Sequence, residues 1–479
     1  MGRRLPAFFD RSSKKWVVMT EPLPKYAQQL SRSLSMRENI LVTLSAVTPA
    51  SSVFIIAPAV LLGAGGAAVT AFLIAAAAAV FVGMCYAELS ATYPIAGGEY
   101  SWAARLLGKS AGFATFLLTL VTGMLIIAVI ALGTGSYLGV VWSGLSGKWI
   151  GVAVIAATTL IALLNIRTNA WITGIALTIE IIAVAVLAVL GFAHYERGPG
   201  EFFHARTMDS GHLVGVSAGA LVAFVPVALF AYNGYGQAVY YVEETRNAAR
   251  SIGRIIMLSL AITVAVEVIP LAAVVSGAPS MPGLLGAAAP MNYLLTSRGG
   301  AAINDAVSVG IAIAIINAVI AIVLQIARLL FASARDRSWP GPIDAVLGAV
   351  HTRTHAPVAA TIVVGGCAGL AAAFLPLNWL ITATGSAVVL VYLMVALSAL
   401  RLRRAGALPS RGYRMPLWPA PPLIVIAVVL YVAYRVLLDG WAQLAVAVGT
   451  MVLGALYYLL YLHPRRGDRW SLPDPIHED

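Results

Sequence analysis

The chain has 479 residues, of which 60% are hydrophobic and only 11% charged, and its mean hydropathy is +0.87. A soluble globular domain carries about 25% charged residues, so this composition excludes a soluble fold and indicates a membrane protein that crosses the bilayer many times. The net charge of +11 does not signal nucleic-acid binding, because the basic residues do not gather with aromatics on a polar domain.

Residues 1–37 are polar and basic and contain no cleavable signal stretch, so the first apolar window is expected to act as the membrane-targeting segment. Crossing about 30 Å of hydrocarbon takes about 20 apolar residues in a helix. Windows of that kind lie at 38–62, 66–86, 109–134, 149–165, 171–193, 215–242, 253–276, 302–327, 358–376, 379–400, 421–438 and 441–462. Their apolar pattern is helical or continuous, not the alternation of a membrane barrel, which predicts an all-α integral membrane protein of about twelve transmembrane helices. Residues 194–214 and 277–300 form the longer connections on one side; the second reads equally as short helices over a mouth or as a plain connector. Residues 463–479, with Pro473 and Pro475, read as a polar, disordered tail.

Lys and Arg divide 26 to 5 between the two sides of this arrangement, the minority being Lys148, Arg197, Arg206, Arg298 and Arg435. The positive-inside rule then places both termini in the cytoplasm, with the chain in the cytoplasmic (inner) membrane. Cys85 and Cys367 have neither disulfide nor metal-ligand spacing and read as packing residues.

Two windows are broken by residues that a membrane helix avoids, Thr48-Pro49-Ala50-Ser51-Ser52 in the first and Tyr232-Asn233-Gly234-Tyr235-Gly236 in the sixth. An unsatisfied backbone group inside a bilayer costs several kcal/mol, and a bound solute is one way to satisfy it. Breaks at matching places in two halves mark transporter sites. Residues 38–193 (helices 1–5) and 215–400 (helices 6–10) are therefore expected to form two repeats of inverted orientation, with 421–462 (helices 11 and 12) outside them.

Three stretches carry a family resemblance. Cys85 to Gly108 reads CYAELSATYPIAGGEYSWAARLLG, Phe230 to Ile255 reads FAYNGYGQAVYYVEETRNAARSIGRI, and Arg328 is followed by ARDRSWP from Ala334 to Pro340. Together they resemble the amino acid/polyamine/organocation permease superfamily over about residues 38–400. The resemblance implies a 5+5 inverted-repeat helical fold with broken helices 1 and 6, and transport of small amino acids or amines, often with protons.

The residues at the breaks suit that chemistry. N–H groups near Ser51, Ser52 and Val53 open a half-helix whose positive end favours a carboxylate; carbonyls near Ala46, Val47, Phe230 and Ala231 favour an ammonium. The candidate substrate-binding residues are Val47, Ala50, Ser51, Ser52, Phe230, Ala231, Tyr232, Asn233 and Gly234. Relatives often carry glycines in the first break, where Ala50, Ser51 and Ser52 stand here, and each Cβ narrows the backbone's approach to a ligand. Phe230 matches the position at which the family places an aromatic over its substrate.

Glu180 and Glu267 are the carboxylates well inside predicted spans, and intramembrane carboxylates are functional by default. They are the candidates for proton coupling; Glu180 falls where some proton-coupled relatives carry a lysine. The eighth span, IAIAIINAVIAIVLQIA, offers no paired hydroxyls for sodium.

The reading is a secondary transporter that imports a small neutral amino acid with a proton by alternating access, with the solute, protons and the lipid bilayer as its partners. It needs no cofactor and no metal, and its oligomeric state is open. The alternative is a permease or exchanger for ethanolamine, a polyamine or another amine. A membrane enzyme is the contrasting class, but the seven histidines all fall outside the spans and no HExxH, GxSxG or paired-Cys motif occurs. A receptor would be expected to carry a further cytoplasmic domain.

Overall fold

A computed structural model describes residues 7–10, 15–18, 34–94, 97–142, 144, 147–163, 169–351, 356–404, 406, 412–465 and 469–470. Most of the expected N-terminal segment 1–37 and the tail from 471 onward lie outside the described residues. The described chain is overwhelmingly helical; its strands are two short antiparallel pairs.

After β1 (Ala7–Asp10) and β2 (Lys15–Val18), the first span begins at α1 (Met36–Val47). Ser35 and Glu38 close a reciprocal capping box at its start, side chain to backbone in both directions, which meets donors that a helix N-terminus leaves open. The helix stops at Thr48, whose φ of 52° is left-handed. Pro49, with no N–H to offer the preceding turn, starts α2 (Pro49–Ser51). A π-helical turn at Ser52–Ile56 leads into α3 (Ala57–Ala64), which Gly65 ends.

The chain continues through α4 (Ala68–Thr92), α5 (Gly98–Leu106), α6 (Lys109–Val141), α7 (Lys148–Ala162) and α8 (Asn169–Ala193). The connection after α8 contains an unforeseen hairpin, β3 (Arg206–Asp209) with β4 (His212–Gly215). It docks on the end of the first span: Ala205 bridges Gly65, and a Cβ on Gly65 would meet the Arg206 carbonyl at 2.6 Å. The sixth span is α9 (Ala218–Val222), α10 (Val225–Ala231) and, after Gly234 at φ 126°, a 3-10 segment at Tyr235–Glu244.

Then come α11 (Ala248–Gly277), α12 (Met281–Gly286) and α13 (Pro290–Leu294), so 277–300 is built of short helices and not of plain connector. The remaining helices are α14 (Ala301–Arg335), α15 (Gly341–Leu347), α16 (Val358–Phe374), α17 (Leu377–Arg404) and α18 (Ala420–Tyr457). Among the described residues, ten segments are long and apolar enough to cross a membrane; α7 and α16 are shorter apolar helices at two further expected windows. The chain is therefore a multi-pass, all-α membrane protein.

Two differences from the sequence reading follow from packing. The tail does not begin as free chain at 463: Trp470 is 3% exposed, set edge-on to Phe113 and Tyr458, and Arg469 reaches Asp344 at 2.9 Å. Aromatic burial is a large enough gain to order a polar segment. Cys367 is exposed on α16, so only Cys85 is a packing cysteine.

In the interior, α6 packs on α14 and α17 while α11 packs on α4 and α8. The first span lies among α8, α11 and α14, and α10 lies among α17, α4 and α3, so both breaks are enclosed by protein, as irregular backbone at this depth requires.

Candidate functional site

The two breaks meet. A Cβ on Gly234 would lie 2.8 Å from the Val47 Cα, so glycine there permits both a left-sided φ and backbone contact between the first and sixth spans. Beside this crossing is a cavity of about 20 Å³, lined by Ala46, Val47, Thr48, Ser52 and Ile56 from the first span, Phe230, Ala231, Asn233 and Gln237 from the sixth, and Ile126, Ile130 and Ile322. That is room for about one water molecule. No charged side chain lines it among the described residues.

The hydrogen bonds show why it is small. Ser52 Oγ donates to the Ala231 carbonyl at 2.8 Å, so one expected donor and one expected acceptor satisfy each other across the crossing. The Ser52 N–H bonds the Thr48 carbonyl at 3.2 Å. The half-helix N–H groups left without an in-helix acceptor are therefore those of Ala50 and Ser51, earlier in the chain than Ser51, Ser52 and Val53. Ser51 Oγ and Thr48 Oγ1 are buried without partners, as is the Gln237 side-chain oxygen.

Both intramembrane carboxyls stand against this segment. Glu180, on α8, faces the Ala50 N–H, and its Oε2 has no hydrogen-bond partner. Glu267, on α11, lies near the Ser52 hydroxyl, but that hydroxyl is committed to Ala231 and neither Glu267 oxygen has a partner.

Of the sequence-predicted residues, Val47, Ser52, Phe230, Ala231 and Asn233 line the cavity. Ala50 and Ser51 are buried on the half-helix behind it. Tyr232 turns away: its hydroxyl donates to the Phe72 carbonyl at 2.9 Å and its ring meets Phe72 edge-on. Gly234 acts through the backbone contact with Val47. Sequence reasoning missed Ile56, Ile126, Ile130, Ile322 and Gln237. In helices that are apolar all round, an isoleucine facing a cavity is indistinguishable from one facing lipid; Gln237, polar and close behind the break, was the available signal.

The amino acid permease family profile matches residues 34–460. The chain belongs to the amino acid permease family. This permease is 29% identical to an uncharacterized transporter of Mycobacterium tuberculosis, over 80% of its own length and 83% of the relative. It is 22% identical to the branched-chain amino acid permease BcaP of Bacillus subtilis and 24% identical to the methylthioribose transporter of the same species, each over 91% of this permease and 94% of the relative.

Proposed function

We propose that this permease imports a small neutral amino acid across the cytoplasmic membrane by alternating access, coupled to a proton. The observation that carries the reading is the cavity at the meeting of the two breaks, where main-chain polar groups lie beside an apolar wall of Ile56, Ile126, Ile130 and Ile322 with no charged lining. An aliphatic side chain suits that wall, and the α-amino and carboxyl groups suit the broken backbone. The branched-chain permease among the relatives supports the same substrate class.

At about 20 Å³ the cavity cannot hold an amino acid, so binding requires Ser52 to part from Ala231. The substrate-contacting set is then Val47, Ala50, Ser51, Ser52, Phe230, Ala231, Asn233 and Gln237, with Tyr232 and Gly234 holding the break. Glu180 and Glu267, beside the same segment, are the proton carriers of this reading.

Twelve spans in a 5+5 inverted repeat account for the two broken helices, 38–193 and 215–400 being the repeats. Met415, just before α18, lies against Glu88 near the end of α4, Arg435 lies against Gly219 at the hairpin end, and Gly454 and Tyr457 lie against Ala114 and Phe113 at the start of α6; a stretch that runs out to the hairpin end and back, two crossings, fits all three contacts. The 26 to 5 charge split puts both chain ends in the cytoplasm.

An amine substrate is the second reading, favoured by Glu180 and Glu267 as counter-charges. Uptake of labelled alanine, valine and leucine by purified protein in vesicles under an imposed pH gradient tests the proposal. Competition by the matching decarboxylated amines at equal strength would establish an amine carrier instead.

A further inference from the structure

Below the cavity, the 3-10 segment of the sixth span is pinned on two sides. On one, the Asn39 amide donates to Thr245 Oγ1 at 2.7 Å and to the Ala238 carbonyl at 3.4 Å. On the other, the Tyr240 hydroxyl donates to Glu99 Oε2 at 2.8 Å, and Tyr86, from α4, donates to Glu99 Oε1 at 2.8 Å. Glu99, on α5, is 8% exposed. Close approach makes this junction: a Cβ on Gly236 would sit 2.7 Å from the Tyr86 ring, and Gly98, at φ +51°, has Tyr240 and Val239 against it.

We infer that Glu99 is the proton-operated lock of the gate at the basic end of the permease: a carboxyl that holds α4, α5 and the 3-10 segment together while it carries a proton, and releases them when it loses it. The inference rests on the alternating-access reading above and adds to it a protonation site separate from Glu180 and Glu267.

The sign follows from burial. Loss of water raises the proton affinity of Glu99 above that of an ordinary carboxyl, and this outweighs its own backbone N–H and the two tyrosine hydroxyls, which pull the other way. An opened gate returns the group to water and its usual range. The closed gate therefore binds the proton more tightly, and opening toward the basic side is favoured as pH rises. The ionisable residues on the elements packed around it are Cys85, Tyr86 and Glu88 on α4, Tyr100 and Arg105 on α5, Lys109 and Tyr137 on α6, Tyr392, Arg401, Arg403 and Arg404 on α17, and Tyr235, Tyr240, Tyr241, Glu243 and Glu244 on the 3-10 segment. Of these, the groups that act on the Glu99 carboxyl are Tyr240 and Tyr86.

The test is labelling of a cavity cysteine, Ala46→Cys with Cys85→Ala and Cys367→Ala, by an impermeant maleimide applied to the basic side of vesicles. Each rate is divided by that of a free thiol at the same pH, because the thiolate is the species that reacts; the corrected rate should climb with pH by up to about tenfold per unit while the proton is being lost. Glu99→Gln, a neutral mimic, should label slowly, and its corrected rate should have no pH slope. Tyr240→Phe should label about fivefold faster, the worth of one ordinary hydrogen bond. Unfolding midpoints of both variants verify that they fold; should Glu99→Gln fail, Tyr240→Phe and Tyr86→Phe carry the test. A Glu99→Gln protein with the parental pH slope, or tyrosine variants that label at the parental rate, would overturn the lock. Amino acid uptake by the parental protein is measured in the same vesicles, so failure of the transport reading shows up separately from failure of the lock.

Discussion

Ser52 and Ala231, 179 residues apart in the chain, share the hydrogen bond that closes the crossing of the two broken spans, with the serine hydroxyl donating to the carbonyl at 2.8 Å. The bond is buried, so removing the donor leaves a carbonyl unsatisfied at a cost of about 1–3 kcal/mol. Ser51→Val is expected to weaken amino acid binding about fivefold while the protein still folds, because the Ser51 hydroxyl has no competing partner here and a lost donor is worth on the order of 1 kcal/mol; adding Ser52→Val should change binding less, since its donor is already committed to Ala231 before substrate enters. Equilibrium binding to purified protein checks this; unchanged affinity would reduce the first break to a kink.

Gly234→Leu is expected to be worse. The first atom of the new side chain already lies 2.8 Å from the Val47 Cα, and the φ of 126° disfavours any L side chain. Loss of both transport and thermal stability is the expected result, read from vesicle uptake and the unfolding midpoint.

For Glu180, facing the Ala50 N–H, Glu180→Gln separates three roles. As the proton carrier, its replacement abolishes accumulation driven by a pH gradient while binding persists. A structural carboxyl tolerates Gln, which keeps a donor and an acceptor, with accumulation unchanged. An amine-binding carboxylate loses substrate binding itself. Accumulation and equilibrium binding on the same preparation decide, and the first outcome is expected.

Glu88, fully buried, receives Arg403 through Nε at 3.0 Å and Nη2 at 2.5 Å, and the Met415 N–H at 3.2 Å. This clamp joins α4 to α17 and to the segment before α18. Arg403→Leu strands a buried carboxylate, for which about 3–5 kcal/mol of destabilisation is expected; Arg403→Leu with Glu88→Leu should recover much of it. Unfolding midpoints in detergent measure both, and a double variant no better than the single would contradict the clamp.

Cysteines placed at 148, 206 and 298 are expected to label from outside the cell and those at 105, 250 and 401 only after permeabilisation, as the 26 to 5 charge split demands. Outside labelling at 401 would overturn the twelve-span arrangement.

Hydropathy and turn chemistry are properties of a few adjacent residues, so the sequence by itself determined the membrane class, the helical segments, both breaks and the family. Pro49 and Gly234 announce their breaks because each alters the local backbone, one by lacking an N–H and the other by allowing φ 126°. What faces what is decided by packing over long separations. The sequence singled out Tyr232 and Asn233 alike, yet only tertiary structure turns Tyr232 to Phe72 and leaves Asn233 on the cavity. Ile126 and Ile322 carry no local mark that sets them apart from lipid-facing isoleucines; the approach of α6 and α14 to the crossing makes them its wall. Glu99 reads in sequence as an ordinary polar residue of a connecting segment, and its burial between Tyr86 and Tyr240 exists only once three distant segments have converged.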